Sequence, residues 1–177
     1  MFLDRWLKPR PAVTAGRALY AQVAAKARDA GFYTRLGAPD TLEGRFELYT
    51  LHTLLLLERL KGQGEGAAET GQALFDAYLR GLDDAFREMG VGDLSVSKKM
   101  KKLGQAFYGR VKSYGEAFEA LPDRAPLEAL IGRTALEGSK APDAPALADY
   151  VLATRAALAA QAGPSLLAGT VTWEPLP

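Results

Sequence analysis

A chain of 177 residues and 19.0 kDa is one domain or at most two small ones, and a chain of this size removes roughly 70% of its unfolded surface from water. Its 48% apolar and 24% charged residues, with a formal net charge of +1, exclude intrinsic disorder and give the chain as a whole no attraction to a polyanion such as DNA. The absence of cysteine and the presence of one histidine, His52, exclude disulfide scaffolds, thiolate metal sites, thiol nucleophiles and multi-histidine centres.

Ala and Leu number 31 and 27, against 7 Val and 1 Ile. That ratio favours helix, because β-branched residues lose χ1 freedom there and are the usual material of strands. At the N-terminus Phe2, Leu3, Trp6 and Leu7 make a small apolar face beside Arg5, Lys8 and Arg10, which suits either a short interfacial anchor or packing on the core. Asp4 and Arg5 break the run, so it is neither a signal peptide nor a membrane span. The default location is cytoplasmic or on a matrix side.

The first helix is expected from about Val13 to Ala30, with Gly31 as its stop. The second opens on Asp40-Thr41-Leu42-Glu43, whose side-chain acceptor followed three residues later by Glu matches a capping box, and runs through Leu60. Leucines surround its axis from Leu42 to Leu60, which marks a central buried helix. Gly62 to Gly71 reads as the most mobile loop. A third helix is expected from about Thr70 to Met89, closed by Gly90, and Gly90-Val91-Gly92-Asp93 reads as a tight helix-to-helix turn.

The fourth helix begins near Ser95 or Ser97 and carries Met100, Leu103, Phe107, Val111, Tyr114 and Phe118 at three- and four-residue steps. Pro122 ends it, and Pro126 opens a short helix to about Leu136. The last helix is expected from Pro145 to Gln161, with Thr170 to Trp173 as an extended piece. The expected architecture is all-α, a single compact domain of about five to seven helices around the leucine-rich one. Residues 1–12 form an amphipathic segment, 13–163 the helical domain and 164–177 an extended tail.

His52 lies between Leu51 and Thr53 on the central helix, the setting of a core histidine bonded to a neighbour; the alternatives are a Ser/His/Asp triad or an axial haem ligand, and no CxxCH supports the latter. No GxSxG, phosphate-binding glycine loop or HExxH is present. No catalytic residue, cofactor or metal is therefore expected, and the chain reads as a non-enzyme.

Charge is concentrated elsewhere. Ser95 to Gly115 holds Lys98, Lys99, Lys101, Lys102, Arg110 and Lys112 without an acidic residue, a local charge of +6, whereas Glu65 to Asp93 sums to −5. The lysines face away from the apolar stripe, which suits anionic lipid or ribosomal RNA. Neutralisation by the acidic helix is the alternative, limited because both charged faces lie opposite the apolar ones.

Several stretches resemble one family. Gly31-Phe32-Tyr33 to Gly44-Arg45-Phe46-Glu47 with Leu51-His52, then Leu74-Phe75-Asp76, Arg87-Glu88-Met89-Gly90-Val91-Gly92-Asp93-Leu94, Lys98, Met100-Lys101 and Ala106-Phe107-Tyr108-Gly109-Arg110 are similar to the ubiquinol-cytochrome c chaperone family. The resemblance covers about Gly31 to Phe118 and fades after Pro122. It implies an assembly factor in cytochrome bc complex biogenesis whose mitochondrial members bind newly made cytochrome b and associate with the ribosome; the chain itself looks like a bacterial member, which implies a cytoplasmic protein in peripheral contact with the inner face of the bacterial inner membrane. On that reading, Gly90, Val91, Gly92, Asp93, Leu94, Lys98, Lys99, Lys101, Lys102, Tyr108 and Arg110 form the partner-binding surface, with Phe107 nearby. The alternatives are that turn glycines and core aromatics account for the motif, or that the basic helix binds ribosomal RNA.

Overall fold

A computed structural model describes residues 10–137 and 143–177; the N-terminal apolar face of Phe2, Leu3, Trp6 and Leu7 lies outside the described residues. Eight helices are present among the described residues: α1 (Pro11–Ala27), α2 (Ala30–Thr34), α3 (Leu42–Leu60), α4 (Glu65–Glu88), α5 (Asp93–Glu119), α6 (Ala125–Arg133), α7 (Ala144–Ala160) and α8 (Gly163–Leu167).

Helix α3 is the axis of the fold, as the leucines around its circumference predict. Leu48, Leu51, Leu54, Leu55, Leu56 and Leu60 are all buried, and α1, α4, α5 and α7 pack around them. Thr41 caps the helix, its Oγ1 accepting the Gly44 N–H at 3.0 Å. The capping-box expectation is corrected here: Asp40 instead accepts from Arg45 Nε at 2.7 Å, since Thr41 already occupies the cap position.

Three further boundaries differ from expectation. Helix α1 ends at Ala27, and Gly31 lies inside the separate turn of α2, where Asp29 Oδ1 accepts its N–H at 3.0 Å. The expected loop from Gly62 to Gly71 is helical from Glu65 onward, because Ala67 and Thr70 gain burial against the core. Helix α5 starts at Asp93 after Gly92, with no serine cap.

The closest helix pair is α1 with α4. A Cβ at Gly16 would stand 2.6 Å from both Ala73 Cβ and the Leu74 amide nitrogen, so only glycine lets the two backbones approach this far. Gly16→Ala is expected to destabilise by about 2 kcal/mol despite the better helix propensity of alanine, a balance of overpacking against intrinsic preference. A urea midpoint equal to or above that of the parent chain would show that the helices can separate freely.

Residues 168–177 carry no regular structure and are tied down by two glutamines. Gln22 Nε2 donates to the Gly169 carbonyl at 2.6 Å and its Oε1 accepts the Val171 N–H at 3.1 Å. Gln161 makes the same two-way pairing with Thr172, both bonds at 2.8 Å. Each amide side chain thus substitutes for a β-neighbour, pairing one carbonyl and one N–H of the segment's backbone. The segment lays Trp173 edge-on against the His52 ring, centroids 5.1 Å apart.

Candidate functional site

Helices α4 and α5 form an antiparallel hairpin that stands against α3. The turn between them is a Schellman motif: Gly90 has φ +76°, its N–H donates to the Arg87 carbonyl at 2.9 Å, and the Val91 N–H donates to the Phe86 carbonyl at 3.0 Å. Gly90 is therefore required by backbone conformation. Gly92 has φ −67° and a Cβ there would meet nothing within 4 Å, so local packing does not demand glycine.

Two polar ties, one buried and one part-buried, fix the hairpin to α3. Tyr78 on α4 shares a 2.8 Å hydrogen bond with Thr50 Oγ1, and burial pushes its phenol above the ordinary range. Arg110 on α5 donates through Nε and Nη2 to both carboxylate oxygens of Glu47, at 2.8 and 2.6 Å. This planar fork positions α5. Arg110 is thus an internal clamp.

With the hairpin so held, a groove of about 740 Å³ opens along it, within the ~300–1,000 Å³ typical of ligand sites. Leu54, Leu57 and Leu60 of α3 supply its base; Ala67, Ala68, Gly71 and Phe75 of α4 form one wall; Phe107, Tyr108, Val111, Tyr114 and Phe118 of α5 form the other. Ala67, Ala68 and Gly71 keep that part of the α4 wall low beside Gln72 and Phe75, which lets an incoming backbone approach closely. Phe75 and Phe107 meet with ring centroids 4.8 Å apart. Arg155 of α7 closes one end, paired to Glu58 at 2.7 Å and stacked 4.5 Å over the Phe118 ring.

Tyr108 and Phe107 line this groove, whereas Gly90 to Leu94 and the lysines do not: Leu94 is about 20 Å along the α5 axis from Phe107. Lys98, Lys99, Lys101 and Lys102 are exposed, and none pairs with an acidic residue of α4 among the described residues. Lys99 leans 5.4 Å over the Phe86 ring. Asp93 is bound by Arg87 at 2.5 Å. Val111 and Phe118 were legible only as core stripe; the groove exists because, among the described residues, Val111 is left 42% exposed, which periodicity does not report.

His52 is fully buried and does not line the groove. A carbonyl can only accept, so Nδ1–H donates to Leu48 O at 2.7 Å and Nε2 accepts the Tyr150 hydroxyl proton at 2.9 Å. Both ring nitrogens are occupied, and desolvation holds the imidazole down at about 4. It is a neutral core histidine with no site for a substrate or haem iron. Among the described residues no group of three carboxylate or histidine side chains is placed to hold a metal ion, and no helix is long and apolar enough to cross a membrane.

The Ubiquinol-cytochrome C chaperone family matches residues 34–173, so the likeness extends past Pro122 through the last helices to Trp173. The ubiquinol-cytochrome-c reductase complex assembly factor 1 of Xenopus laevis is 26% identical over 82% of this chain and 73% of its own length. The mouse protein of that name is 28% identical over 82% of this chain, and the match spans 50% of the mouse protein. The crystal structure of the Cbp3 homolog from Brucella abortus superposes with a TM-score of 0.85 at 34% identity, covering 99% of this chain and 98% of that one.

Proposed function

We propose that this chain, which belongs to the ubiquinol-cytochrome C chaperone family, is an assembly factor for the ubiquinol-cytochrome c reductase complex that holds newly made cytochrome b by an apolar segment seated in the α3–α4–α5 groove. The observation that carries the proposal is the groove itself: a predominantly leucine and aromatic trough, with Ala67, Ala68 and Gly71 on one wall and Glu58, Lys61, Gln72, Glu119 and Arg155 also in its lining. That composition recognises an apolar helix by area and shape, and it offers no chemistry. The relatives' names supply the complex being assembled, and the resemblance of the sequence supplies cytochrome b as client. No catalytic step belongs to this role. The chain works at the inner face of the membrane that receives the client, as a peripheral protein.

Ala68 of α4 and Val111 of α5 line the groove from its two walls and are both exposed. The double variant Ala68→Glu/Val111→Glu introduces two carboxylates into the trough without entering the core. It is expected to keep the parent's thermal unfolding while losing at least about tenfold in cytochrome b recovered with the tagged protein from native membranes, since each carboxylate would be desolvated by an apolar client. Undiminished recovery with a folded variant would overturn the groove as client site. Recovery of ribosomal proteins and RNA without cytochrome b from the parent chain would overturn the client.

A further inference from the structure

Helix α5 presents a second surface beside the groove. At about 100° per residue, Leu94, Lys98, Lys101, Gln105, Tyr108 and Lys112 fall within about 40° of one line along the helix. All are exposed, and Leu94 and Tyr108, at 86% and 64%, are the two most exposed large apolar side chains among the described residues. Lys102 flanks the line. No Asp or Glu occurs between Asp93 and Glu116; Lys112 makes only a 3.8 Å contact to Glu116. The hairpin end that carries this face is also set apart: Phe86 and Val96 are buried there but lie outside the main core cluster, and Met89 beside the turn is 52% exposed.

We propose that this outer face of α5 seats the protein on an anionic phospholipid bilayer, with Leu94 and Tyr108 entering the headgroup layer and Lys98, Lys101, Lys102 and Lys112 meeting lipid phosphates. Charge complementarity fixes the sign of the partner, and the apolar residues choose between partners of that sign. RNA is gripped by stacking on aromatic and guanidinium planes, but Leu94 has no flat face and the one arginine of this region, Arg110, is turned inward to Glu47. Leucine, tyrosine and lysine along one exposed helical face match the depth profile of a membrane interface, where lysine stems extend so that the ammonium stays in water. The Tyr108 side chain belongs to both surfaces, so a seated α5 brings the groove mouth to headgroup level. The proposal rests on the reading that the chain works at a membrane; it does not require cytochrome b to be the client.

The test uses the purified full chain and vesicles of phosphatidylcholine with or without about 30% phosphatidylglycerol, at low salt and at about 0.5 M salt. The parent is expected to co-sediment with the anionic vesicles, far less with neutral ones, and to be released by salt. Lys98→Glu/Lys101→Glu/Lys102→Glu/Lys112→Glu, all surface changes, is expected to lower vesicle affinity at least about a hundredfold. Because the chain has no cysteine, Leu94→Cys labelled with an environment-sensitive dye reports insertion directly, as a blue shift with anionic vesicles and none with polyuridylate. Absence of anionic-vesicle binding by the parent, unchanged binding by the lysine variant, or a Leu94 label that responds to RNA and not to lipid would each overturn the proposal. The lysine variant is read for vesicle binding and Ala68→Glu/Val111→Glu for cytochrome b recovery, so loss of the client reading and loss of this one are separate results.

Discussion

Arg110→Ala is expected to destabilise the fold by about 3 kcal/mol, among the largest effects of any single change on α5. The guanidinium and Glu47 are mutually bound by two short hydrogen bonds, and their side chains are 27% and 10% exposed. Removing one member leaves a nearly buried carboxylate without its partner, and such truncations typically cost ~3–5 kcal/mol when fully buried. The double variant Glu47→Leu/Arg110→Leu is expected to regain most of that loss, because a buried pair exchanged for apolar groups is often close to neutral. Urea unfolding of the two single variants and the double closes the cycle, and a coupling near zero would sink the clamp. The same experiment separates the two readings of AFYGR. If Arg110 were a partner contact, Arg110→Ala would leave the unfolding midpoint in place and lower only client recovery.

The helical architecture was legible because α3, α4 and α5 write their burial into spacing. Leucines encircling α3 announce a central helix, and the Phe107-Val111-Tyr114-Phe118 steps announce a helix buried along one side. What spacing does not reveal is whether that side is covered along its whole length. Val111 belongs to the stripe yet is 42% exposed, since the facing wall carries Ala67, Ala68 and Gly71 in place of larger side chains. The lysines were legible as a solvated face, but Leu94 gains its meaning only once the structure shows it exposed on the same line. Arg110 shows a related limit: the sequence groups it with the basic residues, and only the fold brings Glu47, 63 residues away, within hydrogen-bonding distance. The tail was opaque because Gln22 and Gln161 look like ordinary surface residues until Gly169 to Thr172 lie beside them. Gly16 carried no turn signal, and its demand for glycine comes entirely from α4.

The second large effect concerns His52 and pH. The neutral imidazole is the form this site accepts: its two nitrogens already donate to Leu48 O and accept from Tyr150, and Lys26, whose ammonium lies 5.4 Å from the Tyr150 ring centre, adds positive charge nearby. Asp29 and Glu174 also face this cluster through Tyr150, but desolvation dominates and the folded imidazole titrates at about 4 against 6.5 for an unburied one. Above 6.5 neither state carries the proton, and the contribution is complete. As pH falls below 6.5 the unfolded chain takes up a proton the folded chain refuses, so stability declines until the folded histidine titrates near 4, a total of about 3 kcal/mol. A His52→Gln variant lacks this titration, and its unfolding free energy is expected to be flatter across that window than the parent's by about that amount. Should the variant fold poorly, the parent alone suffices: with one histidine in the chain, a single imidazole NMR signal is expected to keep its neutral Nδ1–H form to well below 6. A midpoint at or above 6.5, or equal acid slopes in parent and variant, would place the ring in water, and with it would go the packing of Trp173 that fastens the tail to α3.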